Sequence, residues 1–132
     1  SLPYPEVYFI KRYDESLAHL LYAASDYFLM PSYFEPCGTS QLISMRYGAV
    51  PIVSNVGGLN DTVKDLSRGQ EATGFVFNNS DYYGFINCFR AAEDYFHNPN
   101  FHVLIENGMK GDYSWSKSAK EYLALYNSIS WK

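Results

Sequence analysis

The fold of this chain is decided by the stretch Phe34-Glu35-Pro36-Cys37-Gly38-Thr39-Ser40-Gln41-Leu42. This stretch follows an apolar run at 27–30, which predicts a buried strand, and it precedes a helical segment at 43–47 that closes at Gly48. It therefore joins the carboxyl end of a strand to the amino end of a helix. In open α/β sheets, ligands bind at that position.

A glycine and two hydroxyl side chains stand where this helix begins. Free amides and the positive end of the helix dipole face outward there, so Gly38, Thr39 and Ser40 can hold an anionic group such as a diphosphate. A carboxylate would repel that anion, so we expect Glu35 to face an electron-poor or hydroxyl-rich group, such as a sugar attached to the diphosphate. The alternative is that Glu35 and Pro36 only start the helix, since both residue types suit a first turn.

Strands and helices alternate along the rest of the chain. The sequence predicts strands at 7–10, 26–30, 49–53 and 74–77, a polar loop at 65–72, and helices that begin at Asp14, after the Glu35 loop, after a glycine pair, at Asp81 and at about Ser116. Short connections between alternating strands and helices imply right-handed βαβ units. The predicted fold class is thus α/β, with a Rossmann-like, mainly parallel sheet and flanking helices.

The glycine pair, Gly57 and Gly58, forms a second turn between a strand and a helix. Glycines there permit positive φ and let the backbone approach a ligand closely. Because neighbouring parallel strands end at the same edge, we expect both turns to open onto one edge of the sheet. Pro51, in the preceding strand, cannot donate a ladder hydrogen bond, so we expect it at the start of a strand, at an edge or at a bulge.

Length and charge exclude several classes of protein. The 132 residues suffice for one domain with a sizeable core, and the formal net charge of −4 argues against nucleic acid or an anionic membrane as the main partner. No apolar run approaches the roughly 20 residues that span a bilayer, and the start of the chain lacks the pattern of a signal peptide. A cytoplasmic location is the default expectation.

Histidines and cysteines point to no metal or disulfide. His19, His97 and His102 lack ligand spacing with acidic residues, so we expect no metal or other cofactor. Cys37 and Cys88 form no disulfide framework, and reduced thiols fit the cytoplasm. Cys37 could act as a nucleophile, and packing of the turn by a small thiol is the alternative.

Several motifs follow one another in a fixed order. They are Tyr13, Phe34-Glu35-Pro36-Cys37-Gly38, Gln41-Leu42, Arg46-Tyr47-Gly48, Pro51-Ile52-Val53, Gly57-Gly58-Leu59-Asn60-Asp61-Thr62-Val63, Thr73-Gly74-Phe75 and Tyr113-Ser114-Trp115. With this set the chain resembles bacterial glycogen synthases and plant starch synthases over nearly its whole length. The resemblance implies a retaining glucosyltransferase of the GT-B architecture, in which two Rossmann-like domains flank a cleft. Such enzymes transfer glucose from ADP-glucose to the non-reducing end of an α-1,4-glucan.

The resemblance also implies roles for individual residues. Glu35 matches the catalytic glutamate, which contacts the donor glucose and stabilises the positive charge that develops at its anomeric carbon. The implied donor-binding residues are Tyr13, which would stack on adenine, Cys37, Gly38, Thr39, Ser40, Gly57 and Gly58. The sequence departs from the family at Thr39, usually leucine, and at Val56, often threonine. Ile43 replaces a second glutamate of broader GT-B families, which favours the synthases.

The four predicted strands are fewer than the six of a full dinucleotide-binding fold. Because the chain also opens on Ser1, we expect a fragment of the C-terminal GT-B half. Its core would span about 1–112, and a terminal helix at about 113–132 would cross to an absent N-terminal domain. Cations that neutralise the diphosphate would come from absent segments, so the fragment alone should be inactive. Its uncovered apolar surface, including Trp115 and Trp131, should promote self-association.

Two other readings remain open at the level of sequence. The chain could belong to another GT-B glycosyltransferase or to a sugar-nucleotide epimerase, and rates with ADP-glucose and UDP-glucose would discriminate. It could also be a non-catalytic, aromatic-rich module that binds glucan without responding to nucleotide.

Overall fold

The computed structural model describes residues 6–78 and 82–129. Within these ranges three strands form one parallel sheet in the order β1-β2-β3, with helices on both faces. The elements in chain order are α1 (Glu15–Ala24), β1 (Tyr27–Met30), α2 (Ser40–Tyr47), β2 (Val50–Ser54), α3 (Gly57–Thr62), a 3-10 helix (Leu66–Glu71), β3 (Phe75–Phe77), α4 (Tyr82–Tyr95), α5 (Phe101–Lys110) and α6 (Trp115–Ser128).

The central strand β2 carries the core. All five of its residues are buried, as expected for a parallel strand covered by helices on both faces. One face packs β2 and β3 against α4 and α5, and the other packs them against α3. The buried residues of the first face are Val50, Ile52, Ala72, Phe75, Phe77, Ala92 and Leu104, and those of the second are Val53, Leu59 and Val63.

Pro51 lies inside the central strand, yet its missing N–H costs no ladder bond. The amide of Val50 donates to Asp26 O on the β1 side at 2.9 Å. The next nitrogen along a parallel strand faces the opposite side, where β3 begins only opposite Ile52. Pro51 is therefore the second residue of the strand, just ahead of the β3 ladder, which agrees with the predicted place near the start of a strand.

Two helix ends follow the predicted capping chemistry. The side chain of Asp14 accepts a hydrogen bond from the Leu17 amide at 3.0 Å, which starts α1. Gly48 adopts the left-handed conformation, with φ of 87°, directly after α2. Both positions confirm the boundaries predicted there. Asp81, the predicted cap of α4, lies outside the described residues.

Two predictions about elements need correction, and one helix was not predicted. The segment at 7–10 is not a strand: it pairs with no neighbour in the described chain, and Tyr8 and Phe9 are 85% and 76% exposed. The segment at 65–72 is not a plain loop, because Asp65 caps a 3-10 helix through the Ser67 amide. The sequence reading also missed α5. The described sheet thus has three strands rather than four.

Candidate active site

The two predicted turns meet at the carboxyl edge of the sheet. The amide of Gly58 donates to both Glu35 O, at 3.2 Å, and Pro36 O, at 3.1 Å. At the end of β2, the hydroxyl of Ser54 donates to Ser32 O, which ties down the segment that leads into the Glu35 loop. Both turns therefore open onto one edge, as the strand order predicted.

The contact between these turns leaves no room for side chains at the two glycines. A Cβ atom on Gly57 would lie 2.2 Å from Glu35 O, and one on Gly58 would lie 2.0 Å from Cys37 O. Gly57 also has a positive φ of 41°. These glycines are thus required by close backbone approach between two loops, which fixes the backbone on both sides of the half-buried Glu35.

The amino end of α2 carries unused polar groups. Thr39 is the N-cap residue, but its side chain makes no capping hydrogen bond. The amides of Leu42 and Ile43 both donate to Thr39 O at 3.0 Å, so the amides before them lie in the part of the first turn that has no intrahelical acceptor. Gly38, with φ of 72°, turns the chain into this helix. The edge beside Glu35 therefore carries backbone donors that no helical acceptor uses.

A buried side-chain network lies beneath these loops. Gln41 is fully buried, and its Nε2 atom donates to Cys37 O at 3.2 Å, to Gly38 O at 3.0 Å and to Thr62 Oγ1 at 3.1 Å. The hydroxyl of Thr62 in turn donates to Gly58 O at 2.6 Å. Sequence reasoning noted Gln41 as part of a motif but did not assign it or Thr62 a role, because a polar residue in a helix usually faces solvent.

Tyr13 and Cys37 are more open than the rest of the predicted set. The side chain of Tyr13 is 90% exposed, just before the cap of α1. Cys37 is also exposed, whereas burial and the charge of Asp65 raise the pKa of Cys88 to about 11. The structure therefore joins Glu35, Cys37 and Gly38 to the glycine pair, with Thr39 and Ser40 at the adjoining helix end, and leaves Tyr13 open to solvent.

A polar cleft of about 520 Å³ borders the second turn. Asn55, at the end of β2, and Asp65 both line it. Burial raises the pKa of the Asp65 carboxyl. Hydrogen bonds from Ser67 and from the Val76 amide lower that pKa by more than burial raises it, so the net shift is downward. Asp65 is thus held as a carboxylate by the edge of β3.

The described ranges contain neither a metal-binding cluster nor a membrane-spanning helix. In residues 6–78 and 82–129 no group of three or more histidine, cysteine or acidic side chains could hold a metal ion. Among the same residues, no helix is long and apolar enough to cross a membrane.

Two glycine-bearing loops at the carboxyl edge of a parallel sheet with flanking helices are features of an open α/β domain. Residues 4–94 match the family described as Glycosyl transferases group 1, and the chain belongs to that family. Its parallel sheet with flanking helices is part of a GT-B glycosyltransferase fold.

Close relatives agree with this assignment. The chain is 51% identical over 126 residues to a glycogen synthase of Elusimicrobium minutum and 44% identical over 118 residues to one of Finegoldia magna. These matches cover 94% and 89% of the chain. It also matches the catalytic domain of starch synthase IV from Arabidopsis thaliana bound to ADP and acarbose, with 42% identity over 89% of the chain and a TM-score of 0.80. The chain spans about a quarter of the length of each of these proteins.

Proposed function

We propose that this chain is the donor-nucleotide part of a glycogen synthase. The whole enzyme would transfer glucose from ADP-glucose to the non-reducing end of an α-1,4-glucan with retention of configuration. The observation that carries the proposal is the docking of the Glu35 loop on the Gly57-Gly58 turn, in a chain whose relatives are glycogen synthases.

Glu35 is the proposed catalytic residue. As the donor bond breaks, positive charge develops at the anomeric carbon of glucose, and a fixed carboxylate stabilises that charge most strongly where water is excluded. The backbone of Glu35 is anchored through its carbonyl to the Gly58 amide, and the side chain is half-buried. These observations support a carboxylate held in place at the edge where a nucleotide sugar would lie.

The diphosphate of the donor would bind at the start of α2. Amides at Gly38, Thr39 and Ser40, together with the uncommitted Thr39 side chain, are suited to phosphate oxygens. Cys37 and the glycine turn would line the same site, and Tyr13, which is exposed, is free to stack on the adenine ring. The ADP in the related starch synthase supports this choice of ligand. No metal ion is invoked.

The experiment is glucose transfer to glycogen by the full enzyme that contains this chain, measured with radiolabelled ADP-glucose and UDP-glucose. We expect Glu35→Ala and Glu35→Gln each to lower kcat by about a hundredfold or more, because both remove the charge. The control is Glu106→Ala, which removes an exposed carboxylate on α5 that pairs with Lys110. It should keep normal turnover.

Three outcomes would contradict parts of the proposal. Near-normal turnover in Glu35→Ala would remove Glu35 from the reaction. Preference for UDP-glucose would indicate another GT-B glycosyltransferase. No transfer from either donor, with glucan binding that ignores nucleotide, would favour a binding module.

Two further features belong to the same proposal. The parent enzyme would work in the cytoplasm, and the 132-residue chain alone would elongate no glucan, because groups that neutralise the diphosphate would be supplied by other parts of the parent. Glucan elongation by the purified chain would contradict this.

A further inference from the structure

We infer that Gln41 and Thr62 are positioning residues for the donor diphosphate: together they hold two loop carbonyls inward, so that the Gly38 and Thr39 amides face the ligand. The inference rests on the proposed function, because it concerns the same donor site. It extends that function by assigning a task to two side chains that would not touch the donor.

The orientation of the amides follows from peptide geometry. Nε2 of Gln41 donates hydrogen bonds to Cys37 O at 3.2 Å and to Gly38 O at 3.0 Å. In a trans peptide the N–H points opposite to the C=O. The amides that follow these carbonyls, those of Gly38 and Thr39, must therefore point away from the buried Gln41.

Two consecutive outward amides form an anion site of a known kind. Gly38 has φ of 72° and Thr39 has φ of −121° with ψ of −23°. Successive N–H groups that face the same side of a turn make a concave nest that binds anions. Gln41 would hold this nest open in the absence of ligand, which lowers the cost of ordering the loop when the donor binds.

The same network reaches the second loop through Thr62. Its hydroxyl accepts from Gln41 Nε2 at 3.1 Å and donates to Gly58 O at 2.6 Å. Because the Gly58 amide also donates to Glu35 O, one chain of hydrogen bonds runs from the nest to the backbone of the catalytic glutamate. A disturbance at Thr62 should therefore be felt at both the diphosphate and the sugar.

The unpaired oxygen of Gln41 indicates that this side chain does more than fill space. Oε1 is buried and has no hydrogen-bond partner among the described residues, which carries a cost in stability. Three acceptors surround Nε2, so a flipped amide would place an oxygen against them. Oε1 also lies 2.6 Å from where a Cβ on Gly38 would stand, so Gln41 fills the space that Gly38 leaves. An apolar residue would avoid the unpaired oxygen but could not turn the carbonyls.

The test compares three threonine variants in the full enzyme that contains this chain. Thr62→Val removes the hydroxyl at constant shape, and Thr62→Ser restores it. Thr73→Val is the control: Thr73 is a buried threonine whose hydroxyl accepts from the Lys64 amide at 2.9 Å, and it precedes β3, outside the hydrogen bonds of Gln41.

We expect Thr62→Val to raise the KM for ADP-glucose and the Kd for ADP by about tenfold, the effect of one lost hydrogen bond, with the KM for glycogen unchanged. Thr62→Ser should recover most of the loss. Thr73→Val should lower the melting temperature without changing the KM for ADP-glucose. If Thr62→Val also lowers only the melting temperature, the role is structural and the inference is overturned.

Failure of the proposed function would look different. If the unmodified enzyme transfers no glucose, binding of inorganic pyrophosphate, followed by calorimetry, decides the inference by itself. Pyrophosphate binding that weakens in Thr62→Val and returns in Thr62→Ser would support the nest. Binding that is absent from the unmodified enzyme, or equal in all variants, would overturn it.

Discussion

The loops at the carboxyl edge of the sheet and the helices at the two ends of the chain are held in opposite ways. The loops are joined by backbone hydrogen bonds and by glycines that leave no room for a Cβ. Helices α1 and α6 contain no buried residue. The difference teaches that the candidate site is tied directly to the core, whereas the outer helices meet the rest of the molecule through half-buried and exposed side chains, such as His19 of α1, which contacts the Tyr47 hydroxyl.

The largest expected effect tests the tightness of the loop contact. Gly58→Ala places a methyl group 2.0 Å from Cys37 O, and backbone on both sides prevents an easy retreat. We expect it to lower the free energy of unfolding by about 3 kcal/mol, from overpacking together with the weakened Gly58 hydrogen bonds. Urea unfolding followed by circular dichroism measures this loss.

Gly48→Ala is the matched control for that substitution. Gly48 has φ of 87°, but its Cβ would meet its nearest neighbour, Ile105 Cγ2, at 3.4 Å, which is an ordinary contact. Only backbone strain should be felt, about 1 kcal/mol. If Gly58→Ala costs no more than Gly48→Ala, the loops are not tightly docked and the contrast with the outer helices disappears.

The same contrast explains what the sequence could predict about the fold. Asp14 and Gly48 act locally, so their caps are visible in the sequence. The apolar segment at 7–10 has the composition of a strand, but a strand also needs a neighbour, and composition does not reveal one. The 3-10 helix that Asp65 begins is short and polar, so no apolar periodicity distinguishes it from a loop in the sequence.

Part of the candidate site can likewise be predicted from the sequence, and part of it cannot. That Glu35 and Gly57-Gly58 share an edge follows from strand order, which alternating elements predict. The pairing of Gln41 with Thr62 spans 21 residues and depends on the way α2 faces α3. No local pattern encodes that facing, so the hydrogen bond between Gln41 and Thr62 is visible only in the three-dimensional structure.

A smaller effect concerns pH and the core beneath the sheet. Burial, with smaller contributions from Asp26 and Tyr95, raises the pKa of Tyr27 to about 12, and its hydroxyl donates to Ala92 O. The folded state then keeps a proton that the unfolded chain releases near pH 10, so stability is full below pH 10 and falls as pH rises toward about 12.

Tyr27→Phe should flatten part of that decline in unfolding experiments across the same pH range. It lacks the hydroxyl that the unfolded chain would ionise. Tyr122→Phe, which changes a 58% exposed ring on α6, should keep the decline of the unmodified chain. Equal pH profiles for all three proteins would show that the Tyr27 environment is as open as the surface of α6.

The smallest expected change in stability lies on α6 itself. Leu123→Ser alters a side chain that is already 59% exposed, so the free energy of unfolding should change by less than about 0.5 kcal/mol. Its effect should appear instead in association, because Leu123, Leu125 and Tyr126 of this helix and Ile129, which caps it, are each more than half exposed. Apolar patches of this kind drive contacts between molecules.

We therefore expect the 132-residue chain to self-associate in sedimentation experiments at high concentration, and Leu123→Ser to weaken that association. A strictly monomeric chain would remove this surface from the self-association proposal, and a loss of stability as large as that of Gly58→Ala would mean that α6 is packed as firmly as the site.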